Sequence, residues 1–322
     1  MSARIGWLAA LLAVQLLLTG ALLLLEGRGA DSSPAAFVEV APDSVDRVVV
    51  GGEETELEFT RAGEQWSLGS GAPADAEKIG EVLEKLTDIE PGWPVAATEA
   101  SRERFRVTGD DHERRVALFA GEGKLAEIYL GTSPGFRRIH ARRADSEEVY
   151  SIDFAVYELP LSDSDWLDKD LLGADGEIAS IIREEHWSLE RGQEGWLLNL
   201  VPGMQDAEAG PGIGGADQDA AGRLVERVAE LRVTGFAPLG PAYEPAAVFT
   251  VTDASGSYGL RIFKDPENDE YAVESDRLSG RFGLAAYVAE QLVVEHADLR
   301  AAEPQDEAPA PGSEGFSDAG PG

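Results

Sequence analysis

The sequence predicts an α+β protein: an N-terminal transmembrane helix, then two tandem copies of a β-rich unit, each of antiparallel strands with one amphipathic helix. Three observations carry this prediction. Residues 5–25 hold no charge and ten leucines. A Trp-centred hairpin recurs at an offset of 130 residues, and an Asp-led amphipathic helix follows it both times. The 322 residues contain no cysteine, which excludes disulfides, thiolate metal sites and cysteine nucleophiles. A chain of this length buries a core without such staples.

As a helix, residues 5–25 span about 31 Å, roughly the hydrocarbon thickness of a bilayer. Arg4 precedes the run, and Glu26, Arg28 and Asp31 follow it. The positive-inside rule places the N-terminus in the cytoplasm and the rest outside. Thr19-Gly20-Ala21 offers small residues to a signal peptidase, but cutting there leaves four leucines at the new terminus. An uncleaved anchor is therefore expected. The expected location is the inner (cytoplasmic) membrane, single-pass, with the bulk of the chain periplasmic. Residues 26–42 read as a linker, 43–165 as the first unit, 166–177 as an inter-repeat linker and 178–298 as the second unit. Residues 299–322 read as a disordered acidic tail.

The repeat is read from aligned residues. Leu57, Phe59, Arg61, Trp66 and Leu68 line up without gaps on Trp187, Leu189, Arg191, Trp196 and Leu198. Each set reads as an alternating strand, a polar turn and a second strand opened by Trp. Asp75 then caps a helix with apolar residues at Ile79, Val82, Leu83, Leu86 and Ile89. Asp217 does the same before Ala221, Leu224, Val225, Val228 and Leu231. A Gly/Pro/acid loop over 202–215 accounts for the longer spacing of the second copy. Phe105 and Val107 match Phe249 and Val251 as the next strand. Further strands are expected over 115–119, 126–130, 137–142 and 148–152, and over 259–263 and 270–274. Short helical signals at 154–159 and 284–292 close the units.

The order of these motifs resembles the bacterial family called domain of unknown function 4340. The residues that carry it are Trp66 and its hairpin, Ala74-Asp75 and its helix, Ile128 to Gly131 with Ser133-Pro134, Val149 to Ile152, and Trp166 to Leu172. The resemblance covers residues 45–298 together with the anchor. It implies a membrane-anchored, outward-facing protein, with an ABC-type transport complex of the gliding-motility kind as the partner. It carries over no catalytic residue.

Sixty acidic against 27 basic side chains leave a net charge of −33, a field that excludes nucleic acid as a partner. One stretch runs against it. Residues 101–143 hold nine Arg and one Lys against six acids. Alternation along 136–143 sends Arg138, His140 and Arg142 to one strand face, where two guanidiniums would suit an anion or an acidic partner. The plainer reading pairs these bases with Glu113, Glu127, Glu147 and Glu148.

Other motifs yield to ordinary structure. Gly131-Thr-Ser133-Pro-Gly135, with His140 and Asp145 after it, fits a serine-hydrolase elbow, but the expected helix is replaced by turn and strand residues. Asp163, Asp165, Asp168 and Asp170 lack the spacing of a calcium loop. His112, His140, His186 and His296 lack zinc spacing, and Gly210 to Gly215 is not followed by the Lys of a phosphate loop. No cofactor or metal is expected. The expected function is a non-enzymatic single-pass envelope protein that presents an interaction surface. The rival classes are an envelope hydrolase using Ser133, Asp165 or Asp168, and a binder of a polar ligand in a cleft between the repeats.

Overall fold

A computed structural model describes residues 36–200, 215–237 and 243–301. The 5–25 segment and the acidic tail beyond Ala301 lie outside the described residues, as do residues 202–214 of the Gly/Pro/acid loop. Among the described residues no helix is long and apolar enough to cross a membrane. The chain divides into two compact units between Asp168 and Lys169.

In the first unit, Val48 and Val50 lie on strand β1 (Arg47–Gly51), where β-branched side chains suit a pleated, buried surface. β2 (Glu56–Ala62) alternates buried Leu57 and Phe59 with exposed Glu56, Glu58 and Thr60. β3 (Gln65–Leu68) and the two-residue β4 (Pro73–Ala74) extend the sheet on that side. Helix α1 (Ala76–Thr87) follows, its N-terminus capped by Asp75 accepting from Lys78 N–H, with Ile79, Leu83 and Leu86 as a buried stripe. A short helix, α2 (Glu99–Arg104), comes before β5 (Arg114–Ala120) and β6 (Gly123–Leu130). β7 (Ile139–Arg143) and β8 (Tyr150–Ile152) complete the sheet, and α3 (Asp163–Trp166) ends the unit. The order is β4-β3-β2-β1-β5-β6-β7-β8, antiparallel throughout. Trp166 closes the core: its ring lies 5.0 Å from that of Phe59, and its indole N–H donates to Pro160 O.

The second unit repeats this plan. It contains β9 (Ser180–Arg183), β10 (Trp187–Arg191), β11 (Trp196–Leu200) and helix α4 (Gln218–Ala229). β12 (Gly235–Phe236), β13 (Glu244–Asp253), β14 (Gly256–Asp265), β15 (Glu270–Ser275), β16 (Leu278–Leu284) and helix α5 (Ala286–Leu292) follow. The order is β11-β10-β9-β13-β14-β15-β16-β12. Seven positions therefore correspond from sheet to sheet, while β4 and β12 are additions at opposite edges. Asp217 caps α4 through the N–H groups of Asp219 and Ala220, as Asp75 caps α1.

Three sequence expectations need correction. Phe105 and Val107 are not the counterparts of Phe249 and Val251, because Val107 makes only an isolated bridge to His112. The place beside the first strand belongs to β5: Val50 pairs with Val116 as Arg183 pairs with Phe249. A short alternating string matched another, but sheet position is set by partners distant in sequence. The strand expected over 137–142 begins only at Ile139, since Arg137 adopts φ 55° in the preceding turn. β16 was absent from the expected strands because Gly280 and Gly283 interrupt its apolar pattern. Gly283 is required there: a Cβ would stand 2.5 Å from Thr234 Oγ1.

The two tryptophans of the repeat share a register. Trp66 faces Arg61 and Trp196 faces Arg191, each with its guanidinium near the indole. Their burial differs. Trp66 is covered on its outer side by β4, where Ala74 pairs with it, and is 4% exposed. Among the described residues β11 is an edge strand, and Trp196 is half-buried. Trp66→Ala should accordingly cost about 3–5 kcal/mol and Trp196→Ala less than half of that, measured by urea denaturation of the two variants.

Candidate functional site

β7 positions the residues singled out for anion binding. Ile139 and Ala141 point into the core, and alternation turns His140 and Arg142 to the opposite face. That face is not open. The segment from α2 to β5 lies across it, and both side chains are 9% exposed. The ring of Phe105 stacks on His140 with centroids 4.0 Å apart. Arg142 donates from Nε to Val107 O at 2.7 Å, and from one terminal nitrogen to Ser146 O at 2.8 Å and Arg143 O at 3.0 Å. Its guanidinium also lies 5.0 Å from the Tyr129 ring. Burial lowers its pKa, and the neighbouring Arg102 adds to this.

Gly131 makes the close approach possible. A Cβ there would stand 2.0 Å from Phe105 O, the same oxygen that accepts from Thr132 N–H. His140 Nδ1 donates to Thr132 O at 2.8 Å and lies 3.0 Å from Thr132 Oγ1. Arg138, the third residue, is exposed, with Nε bonded to Ser151 Oγ and a second nitrogen bonded to Ser151 O. The three thus fasten a loop and a neighbouring strand instead of forming an open anion site. The physical reason is that the Val107 carbonyl, brought up by the α2 arm, and the Arg143 and Ser146 carbonyls, at the end of β7 and in the β7–β8 connection, occupy the donors of Arg142.

Several of the surrounding bases are paired with acids. Arg106, at φ 54°, meets Glu53, Asp111 and Glu113 at 2.6, 2.8 and 3.4 Å. Arg115 meets Glu56 and Glu127, Arg143 meets Asp145, and Arg102 meets Glu147. The serine elbow does not assemble. Ser133 Oγ bonds to the carbonyls of Gly135 and Arg138 at 2.8 and 2.7 Å, holding the β6–β7 turn. Asp163 and Asp165 lie on α3, and Asp168 donates its N–H to Pro73 O. Among the described residues no group of three His, Asp or Glu side chains has metal-holding geometry.

The repeat reveals a surface that sequence reasoning missed. Tyr129 pairs with Arg142, and 132 residues further on Arg261 pairs with Glu274 at the same sheet position. No counterpart of the α2 arm covers it among the described residues. An open groove of about 500 Å³ remains, lined by Arg261, Glu274, Arg277 and Arg281. Glu274 sits between Arg281 at 2.8 Å and Arg261 at 3.4 Å. Arg281 also stacks over Phe263 at 4.5 Å, and Arg277 over Tyr258 at 3.5 Å. Arg277 is anchored beneath by Asp253, whose carboxylate also accepts the N–H groups of Asp175 and Ser255. Burial would raise the Asp253 pKa, but the bonds from Asp175, Arg277 and Ser255 outweigh it and hold the carboxyl at about 2. The signal in the sequence was the pair Arg277 and Arg281, one in the β15–β16 turn and the other on a strand whose glycines hid it.

Three expectations follow for the first unit. Arg142→Gln removes donors from three carbonyls and should destabilise it by about 2–3 kcal/mol in chemical denaturation. Gly131→Ala should release the α2 arm, seen as faster hydrogen exchange at Thr132 N–H. Burial lowers the His140 pKa, against the raising effect of its bond to Thr132, and Arg104 lowers it further. Folding therefore favours neutral imidazole and the unfolded chain binds the proton more readily. This contribution is present above about pH 6.5 and lost as pH falls below it. Denaturation midpoints at about pH 7.5 and about pH 5.5 should converge in His140→Gln relative to the parent chain.

Compared with known proteins, the family described as a domain of unknown function (DUF4340) matches residues 66–261. No curated protein and no solved structure matches the chain.

Proposed function

The chain belongs to the family described as a domain of unknown function (DUF4340), and from that premise we propose that it is a non-enzymatic, single-pass envelope protein. Its two β-rich units stand outside the cytoplasm and present an interaction surface to a membrane transport complex of the ABC type. The observation that carries the reading is the contrast between the copies. One sheet position is closed in the first unit by the α2 arm and, among the described residues, left in the second as a groove of arginines around Glu274. Planar guanidiniums stacked on aromatic rings and braced by acids are preorganised to receive carboxylates of a protein partner. The uncharged residues 5–25 support the membrane tether.

A reporter fused after Leu299 tests the topology. It should be active only outside the cytoplasm, and alkaline carbonate should leave the protein in the membrane pellet. Cytoplasmic activity or release as a soluble chain overturns the anchor. A photocrosslinker at position 261 should join the protein to a permease subunit, and Arg281→Gln should abolish that adduct. An adduct unaffected by Arg281→Gln would remove the groove from the reading.

A further inference from the structure

We infer that Trp93 inserts into the lipid–water interface and seats the first unit on the membrane; this rests on the proposed anchoring by residues 5–25. Trp93 is 92% exposed. It stands in the run Pro91-Gly-Trp-Pro-Val-Ala-Ala-Thr98, which carries no charge in a chain where 27% of residues are charged. Solvent ordinarily disfavours such a side chain on a surface turn, and an indole flanked by prolines suits the boundary between headgroups and acyl chains.

The turn is held rigidly. Gly92 adopts φ 65°, Val95 N–H donates to Val149 O, and Val149 N–H returns the bond to Ala96 O. Order is therefore already established, and insertion would not have to immobilise a loose loop.

Its place in the fold identifies the occupant. The chain arriving from the apolar segment is fixed at the same corner: Phe37 N–H donates to Ile89 O, and the Phe37 ring packs edge-on against Tyr150, whose neighbour Val149 holds the turn. Trp93 is four residues from Ile89, so it lies within about 14 Å of the point where the tether reaches the unit. Residue 36 is eleven residues beyond Leu25, a reach of at most about 40 Å. The corner that carries Trp93 is the part of the unit held to the bilayer. The net charge of −33 makes zwitterionic lipid the fitting surface, since anionic headgroups would repel the protein.

The test uses the full chain reconstituted in phosphatidylcholine vesicles, with bromine on the acyl chains near the headgroup as the quencher of indole emission. Trp7 lies in the apolar segment, Trp66, Trp166 and Trp187 are buried in protein, and Trp196 is half-buried in the second unit beside the Arg191 guanidinium. Trp7 and Trp93 are the two indoles expected to reach lipid, so Trp93→Phe should remove about half of the quenching and Trp7→Phe the other part. Loss with Trp7→Phe but none with Trp93→Phe overturns the inference and leaves the anchor standing. No loss with Trp7→Phe overturns the anchor, and the inference with it. Phe136→Ser, which removes an aromatic that is 90% exposed on the β6–β7 turn, should change nothing. An equal loss there would show indiscriminate adhesion and also overturn the inference.

Discussion

Each unit must bury one face of an eight-stranded antiparallel sheet within itself, and the rest of the structure follows from how that is done. Side chains alternate along a strand, so slipping the register by one residue would turn an entire apolar set to water. Val48 and Val50 face Phe59 and Leu57 on one side and Leu118 and Val116 on the other, which fixes the centre of the first sheet. The capped helix brings its apolar stripe to the unit's core, and Trp166 adds a large apolar surface against Phe59. In the second unit Trp187 takes that role from within β10, with its ring near Phe249 and its indole N–H on Val294 O.

The opposite face is where the copies part. In the first unit a chain excursion covers it, and an excursion packed on a sheet brings backbone carbonyls that need donors. Arg142 answers this with a rigid fork of N–H groups that reaches Val107 of the excursion as well as Arg143 and Ser146 beside its own strand. A buried guanidinium without such acceptors would be costly, as would the carbonyls without it. Arginine is thus a structural residue here, although its charge suggests ligand recognition. In the second unit no such cover is found among the described residues, and the same position carries a partly exposed ion-pair cluster, in which each pair adds little stability. Asp253 differs from that cluster because its carboxylate is buried and fully hydrogen-bonded, which fixes Arg277 at the groove's edge.

The first unit also shows how exposed apolar residues differ in kind. Phe136 stands on a turn between consecutive strands, and its neighbours Arg137 and Arg138 are charged. Trp93 stands in an uncharged run pinned by reciprocal bonds, at the corner where Phe37 N–H donates to Ile89 O. The second arrangement is a rigid apolar tip, a form with a physical use at an apolar–polar interface.

The sequence by itself determined whatever depends on neighbours a few residues apart. The Asp75 and Asp217 caps, the helical stripes, the Trp66 and Trp196 hairpins and the doubled architecture were legible because period and capping are local. Tertiary structure alone decided which strand lies beside β1, since Phe105-x-Val107 and β5 carry similar patterns and only the partner ladder tells them apart. It also decided the fate of the basic face. Alternation placed His140 and Arg142 together, but their environment is made by Phe105 and Val107, some 35 residues earlier in the chain. Whether a guanidinium meets water, a ligand or a carbonyl is set by what folds over it, and no local pattern encodes that contact.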